Sequence, residues 1–160
     1  LYSETNQMFD LINNELFNFK KFNFIFRTHP LINIDDYKRN IKNKKIIFSK
    51  NKKIKNDFKV SDFIFYKGSS VCIEAVQNGL IPINLKSNKG DFSLDPLYKV
   101  NKFNAEDYQT LKKVIKLIDK NKFKVKTKNH LQSIQEFSQI YFQKLDTKII
   151  EKLFKQNKNF

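Results

Sequence analysis

Apolar positions recur along the chain with two rhythms, a helical spacing and short runs that alternate or are continuous. Met8, Leu11, Ile12, Leu16 and Phe19 share one face of a helix over residues 3–19, with Ser3 or Thr5 as its cap. Phe22 to Arg27 reads as a strand, alternating at first and ending apolar. Residues 34–41 read as a short helix with Asp35 and Asp36 in the first turn, where the helix dipole favours acids. Lys45 to Ser49 is a further strand, and the lysine-rich segment 50–59 sets Ile54 and Phe58 four apart, as a short helix would. Asp62 to Tyr66 and Ile81 to Leu85 are buried strands that flank a helical pattern from Val71 to Asn78. That arrangement is the signature of a βαβ unit in a parallel sheet.

Beyond Leu85 the periodicity weakens. Residues 86–98 contain Gly90 and Pro96 and read as a loop, and Lys99 to Phe103 as a brief extended piece. From Ala105 the chain turns helical, with Tyr108, Leu111, Ile115 and Ile118 on one face. Residues 120–128 carry too few apolar side chains for a definite element. Two last helices are marked by Leu131, Ile134, Phe137 and Tyr141, and by Ile149, Ile150, Leu153 and Phe154. Helix and strand alternate four times before this helical tail. The expected fold is a single α/β domain over 1–160, a three-layer Rossmann-like parallel sheet with helices on both faces. The last helices, about 128–156, are a C-terminal tail that packs back or toward a preceding half.

Composition changes this picture little. The chain has 160 residues, enough for one domain with a real core. It begins at Leu1, which suggests a piece of something longer. No apolar run approaches a membrane span and no signal-peptide pattern is present, so a cytoplasmic location is expected. Cys72, the single cysteine, falls on the apolar side of its helix and reads as packing. The net charge of +15 invites a nucleic-acid reading, but residues 61–100 hold 4 basic and 4 acidic side chains and are neutral. The excess is lysine, with only Arg27 and Arg39 as arginines, and lysine without arginine forks is a weak nucleic-acid signal. Solvated faces explain it, with an anionic membrane surface as a peripheral contact and no specific nucleic acid.

Candidate chemistry gathers at the turn Lys67-Gly68-Ser69-Ser70, between a strand and a helix. In open α/β sheets the crevice at the carboxyl ends of the strands is where ligands bind. Gly68 permits close approach or positive φ, and either Ser69 or Ser70 fits the N-cap. Helix amino ends favour anions, most naturally a phosphate. Glu74 lies four residues after Ser70 and five after Ser69, so it does not complete a capping box. It sits one turn up on the Ser70 face, placed to accept hydrogen bonds from sugar hydroxyls. The competing reading is an ordinary capped helix with a solvated Glu74.

A second cluster ends the first strand: Arg27-Thr28-His29-Pro30. Pro30 holds His29 extended and stops the strand at the same sheet edge as the serine turn, if both strands are parallel. An imidazole there can bind phosphate or donate a proton to a leaving group. Arg27 adds fixed positive charge, although strand alternation can point it elsewhere. Asp91 and Asp95 in the loop are unassigned, as is His130. Asp35 and Asp36 are neighbours on a helix that point apart, which favours solvated acids over a metal or a general base. No GxGxxG, P-loop, Cys/His metal cluster or G-x-S-x-G elbow is present, and no metal or cofactor is expected.

Taken together, these motifs resemble the carboxyl-terminal half of GT-B glycosyltransferases, above all the CMP-sugar-dependent sialyl- and Kdo-transferase-like families of bacterial surface-polysaccharide synthesis. The matches are Arg27, His29 and Pro30; Ser61-Asp62; Gly68, Ser69 and Ser70; Glu74-Ala75; Gly79 and Pro82; and, in the tail, Tyr141-Phe142 with Leu145-Asp146. The resemblance implies that His29 contacts the nucleotide phosphate and helps protonate the leaving group. It implies that Arg27, Gly68, Ser69 and Ser70 serve the nucleotide phosphate and that Glu74 holds the ribose. It implies a CMP-, CDP- or UDP-linked sugar as substrate and a glycan or lipid-linked acceptor. A preceding Rossmann-like half would supply the catalytic base, and the present chain would be inactive without it. Transfer of glycerol phosphate or ribitol phosphate from a CDP donor is the near alternative. Outside this class stand a basic module for nucleic acid or anionic lipid, and a plain interaction domain whose serine turn is only a cap.

Overall fold

The computed structural model describes residues 2–14, 22–86, 95–121 and 136–137. Their order is α1 (Tyr2–Ile12), β1 (Phe24–Phe26), α2 (Asp35–Arg39), β2 (Ile46–Phe48), α3 (Ile54–Phe58), β3 (Phe63–Tyr66), α4 (Val71–Gln77), β4 (Ile81–Leu85), β5 (Phe103–Ala105) and α5 (Tyr108–Asn121). The fold is α/β, and every strand pair is parallel. The expected tail helices around 131–141 and 149–154 lie outside the described residues, except for the helical pair 136–137.

The strands form two ladders, β1-β2 and β3-β4-β5. Phe24 pairs with Ile46 in the first, and Ile83 lies between Phe65 and Phe103 in the second. No ladder joins β1 to β3. Side chains bridge that seam instead, with the rings of Phe22 and Phe63 at 5.8 Å between centroids. In place of one continuous sheet, two short ladders share one apolar core.

Alternation along the strands assigns the layers. Phe63, Phe65, Ile81 and Ile83 face a core shared with Phe9 and Ile12 of α1, Leu111, Ile115 and Ile118 of α5, and Phe24, Phe26 and Ile46 of the smaller ladder. Ile64 and Tyr66 point the other way, toward Cys72, Ile73 and Val76 of α4 and toward Phe58 of α3. All five residues of β4 are buried, as the middle strand of a covered parallel sheet requires. Helices therefore cover both faces of the larger ladder.

Local polar contacts fix the ends of the elements. Asn13 ends α1 by donating from Nδ2 to the Asn40 carbonyl (2.8 Å), while its Oδ1 accepts the N–H groups of Lys42 (2.7 Å) and Asn43 (3.1 Å). Asn43 Nδ2 donates in return to the carbonyl of Ile12 (2.7 Å), one of the carbonyls the helix leaves open. Asp107 caps α5 through the N–H of Thr110 (2.8 Å). Helix α4 closes with Gly79 at φ 88°, where Gly79 N–H reaches the Val76 carbonyl (2.9 Å) and Leu80 N–H the Ala75 carbonyl (3.1 Å). This is a Schellman stop, and Leu80 packs with Ala75 beneath it.

A Cβ at Gly79 would meet nothing within 4 Å, so only the left-handed backbone resists substitution. Gly79→Ala is expected to lower stability by about 1–2 kcal/mol, with Gly79→Asn recovering part of it. Urea denaturation checks this. Equal stabilities for all three would show that the positive φ carries no cost.

Candidate functional site

The serine turn follows β3. Lys67 is buried at 3% exposure, and its ammonium donates to Gln7 Oε1 on α1. Gly68 takes φ 62°, in the left-handed region, and turns the chain outward. Ser69 and Ser70 are exposed. Ser70 occupies the N-cap position with helical φ −63° and ψ −16°, and no side-chain hydrogen bond caps α4. The serines enter the helix through their carbonyls, which accept the N–H groups of Cys72 (3.2 Å) and Ile73 (3.0 Å). Neither hydroxyl is consumed by capping. Glu74 is half-buried one turn further on, and no hydrogen bond or ion pair engages its carboxylate among the described residues.

His29 is exposed just beyond β1. Its Nδ1 accepts the N–H of Leu31 at 3.2 Å, and its carbonyl accepts the N–H of Ile32 at 2.9 Å. In a neutral ring whose Nδ1 accepts, the proton is carried on Nε2.

The two clusters lie on one rim. Phe22 and Phe63, at the amino ends of β1 and β3, stack edge to face. At the carboxyl ends, Phe26 packs on Phe9 of α1 at 5.1 Å between centroids, and Lys67 bonds Gln7, two residues earlier on the same helix. Strands in contact at their starts and beside one helical turn at their ends run the same way. The loops after β1 and β3, with His29 and the two serines, consequently leave the fold on the same side.

Arg27 has other partners. Its Nη1 donates to Asp57 Oδ2 (2.9 Å), Ser49 Oγ (3.1 Å) and the Asn51 carbonyl (2.7 Å), and Nη2 to the Lys52 carbonyl (3.2 Å). Asp57 is buried and also accepts from Ser49 Oγ and Asn51 Nδ2. Burial alone would raise the Asp57 pKa, but the hydrogen bonds of Asn51 and Ser49 and the Arg27 guanidinium outweigh it and hold the carboxyl below its ordinary value. Where the resemblance implies a phosphate ligand, the structure shows a clamp that ties β1 to β2 and α3.

Asp95, unassigned in the sequence, is likewise built into the fold. Its Oδ1 accepts from the Tyr66 hydroxyl (2.9 Å) and the Leu97 N–H (2.9 Å), and Oδ2 pairs with Lys102 (2.8 Å). Burial and this carboxylate push the Tyr66 hydroxyl far up, and burial first, then Asp95, pushes the Cys72 thiol up to about 12. A thiol so held is a packing group, in line with its complete burial. Asp35 and Asp36 are exposed and pair with Lys38 and Arg39 on their own helix. Asp91 and His130 lie outside the described residues.

Sequence patterning missed two features of this region. One is the buried Lys67 beneath the turn, whose only signal is its place at a strand end. The other is Asn84 on β4, between Tyr66 and Asn104 in register, whose buried Oδ1 has no partner among the described residues. Among those residues no group of three His, Cys, Asp or Glu side chains could hold a metal, and no helix is long and apolar enough to cross a membrane. The structure thus leaves His29 and the hydroxyls of Ser69 and Ser70 exposed at the ends of two strands, with neither hydroxyl used as a cap. No protein-family model, no curated protein and no solved structure matches the chain.

Proposed function

We propose that this chain is the donor-nucleotide-binding domain of an inverting glycosyltransferase of cell-surface polysaccharide synthesis. In this reading the His29 ring and the hydroxyls of Ser69 and Ser70 hold the nucleotide phosphate. The Nε2 proton of His29 neutralises charge on the departing phosphate, and Glu74 accepts the ribose hydroxyls. Stabilising a leaving phosphate by aimed donors lowers the barrier, because the charge develops where the donors already point. A preceding Rossmann-like half would bring acceptor and base. The chain is then one half of a GT-B fold. Arg27 enters as a post for the rim, since Asp57 occupies its guanidinium.

What supports the reading is the common direction of β1 and β3 inferred from the Phe22–Phe63, Phe9–Phe26 and Gln7–Lys67 contacts, which sends the loops bearing His29 and both serines out on the same side. Helix α4 has seven residues and adds little field of its own; the hydroxyls and the imidazole carry the reading. Titrating CMP, CDP or UDP to millimolar concentration is expected to shift the amide NMR signals of Gly68, Ser69 and Glu74. Ser69→Ala with Ser70→Ala is expected to abolish those shifts and leave stability within about 0.5 kcal/mol, because no cap is lost. Silence of the three signals in the unaltered protein would overturn the proposal. A double variant that loses stability and keeps its ligand response would make the serines a structural cap.

A further inference from the structure

Segment 41–60 wraps one lateral edge of the fold. It enters β2, whose ladder partner among the described residues is β1, and returns through α3 to the start of β3. Within 42–59 there are eight lysines, at positions 42, 44, 45, 50, 52, 53, 55 and 59, and one acid, Asp57. Seven of the lysines are exposed and Lys45 is half-buried. Asp57 is buried and already bonded to Arg27, so it offsets none of them. No carboxylate pairs with any of the eight among the described residues. On neighbouring α2, by contrast, Lys38 and Arg39 are each matched by an aspartate. The same edge exposes three large aliphatic side chains, Ile41 at 40%, Ile47 at 51% and Val60 at 72%.

We propose that this edge, from Ile41 to Val60, docks on the surface of an anionic lipid bilayer. Four to eight lysines close together are attracted by the potential of an anionic leaflet, and isolated aliphatic side chains among them enter the headgroup boundary. A nucleic acid would leave Ile41, Ile47 and Val60 with nothing to bury into. It would also find no ring to stack on, since Phe48 is half-buried and Phe58 buried in the fold. There is no arginine between 42 and 59 to fork onto a phosphate or a base edge, and Arg27 beside it is occupied. Docking here involves neither His29 nor the serine turn, so it stands or falls apart from nucleotide binding.

Flotation of the protein with phosphatidylcholine vesicles, with and without phosphatidylglycerol, tests this. Binding is expected only to the anionic vesicles, with most of it lost between about 0.1 M and about 0.5 M salt. Replacing Lys50, Lys52, Lys53 and Lys55 together by glutamate is expected to weaken it at least about a hundredfold. Ile47→Ser with Val60→Ser is expected to remove the part of the binding that survives salt. Reversing Lys112, Lys113 and Lys116 on α5 is the control, with an expected change within about threefold. Equal binding to vesicles without phosphatidylglycerol would overturn the proposal. So would an equal loss in the α5 control, which would make the attraction a property of net charge. Salt-linked binding of single-stranded or duplex RNA through Lys50 to Lys55, with vesicles ignored, would assign the edge to nucleic acid instead.

Discussion

Asp57→Ala is expected to destabilise the protein by about 3 kcal/mol, seen as a fall in the urea midpoint at neutral pH. The carboxylate is buried at 6% exposure and collects donors from Arg27, Ser49 and Asn51. Removing it takes the acceptor from Ser49 and Asn51 and the carboxylate from a guanidinium about two-thirds covered, which keeps only Ser49 Oγ and the carbonyls of Asn51 and Lys52. The desolvation already incurred by those groups is then only partly offset, which costs more than the lost bonds were worth. The expected figure is held at the lower end for a buried pair because water still reaches part of Arg27. The effect also has a direction in pH. The folded-state pKa of Asp57 lies below its ordinary 3.8, so its contribution is complete above that value and is lost as pH falls through the lower folded value. The variant should therefore differ most from the parent near neutrality and converge on it in acid. A variant as stable as the parent at neutral pH would show that the clamp holds nothing.

Ile83→Ala is expected to cost about 3–4 kcal/mol. Ile83 is fully buried in the middle strand and belongs to the core that joins α1, α5 and both ladders. A cavity there loses contacts that the flanking strands, held by backbone bonds to β4, cannot collapse to recover. Because the core is common, Tyr37 of α2 and Phe103 of β5 should report one transition in the variant as in the parent, at a lower midpoint. Two separate transitions would show that the ladders fold independently.

Much of the architecture follows from apolar rhythm alone. Ile81 to Leu85 and Asp62 to Tyr66 announce buried parallel strands; the structure pairs Phe63–Tyr66 with Ile81–Asn84 in parallel and buries all of β4, while Phe63, Ile64 and Phe65 stay half-buried and Asp62 is exposed. What the rhythm did not carry is long-range. The helix expected over 50–59 is confined to Ile54–Phe58, because Arg27 takes the carbonyls of Asn51 and Lys52 and holds them out of the helix. The extended piece expected at 99–103 lies at Phe103–Ala105, because Asp95 and Lys102 knot residues 95–102 into a turn beneath Tyr66. Asp57 sat inside a stretch that reads as a solvated lysine face, and nothing local marks it as the buried acceptor for a residue thirty positions earlier. At the candidate site the residue types were legible, while their uses were not. Serines before a helix suggest caps, yet neither hydroxyl caps α4. An arginine beside a strand-end histidine suggests a phosphate ligand, while the structure engages its Nη1 and Nη2 with Asp57, Ser49 and the carbonyls of Asn51 and Lys52.

The seam between β1 and β3 has a mechanical meaning. His29 rides on the smaller ladder and the serine turn on the larger, and rings such as Phe22 and Phe63, with α1 bridging both strands, join the two in place of main-chain bonds. Sliding one ladder against the other demands rotamer adjustments and leaves every strand pair intact. The relative placement of the two loops is thus set by ring packing, so a substitution at Phe22 or Phe63 reaches it without breaking a ladder.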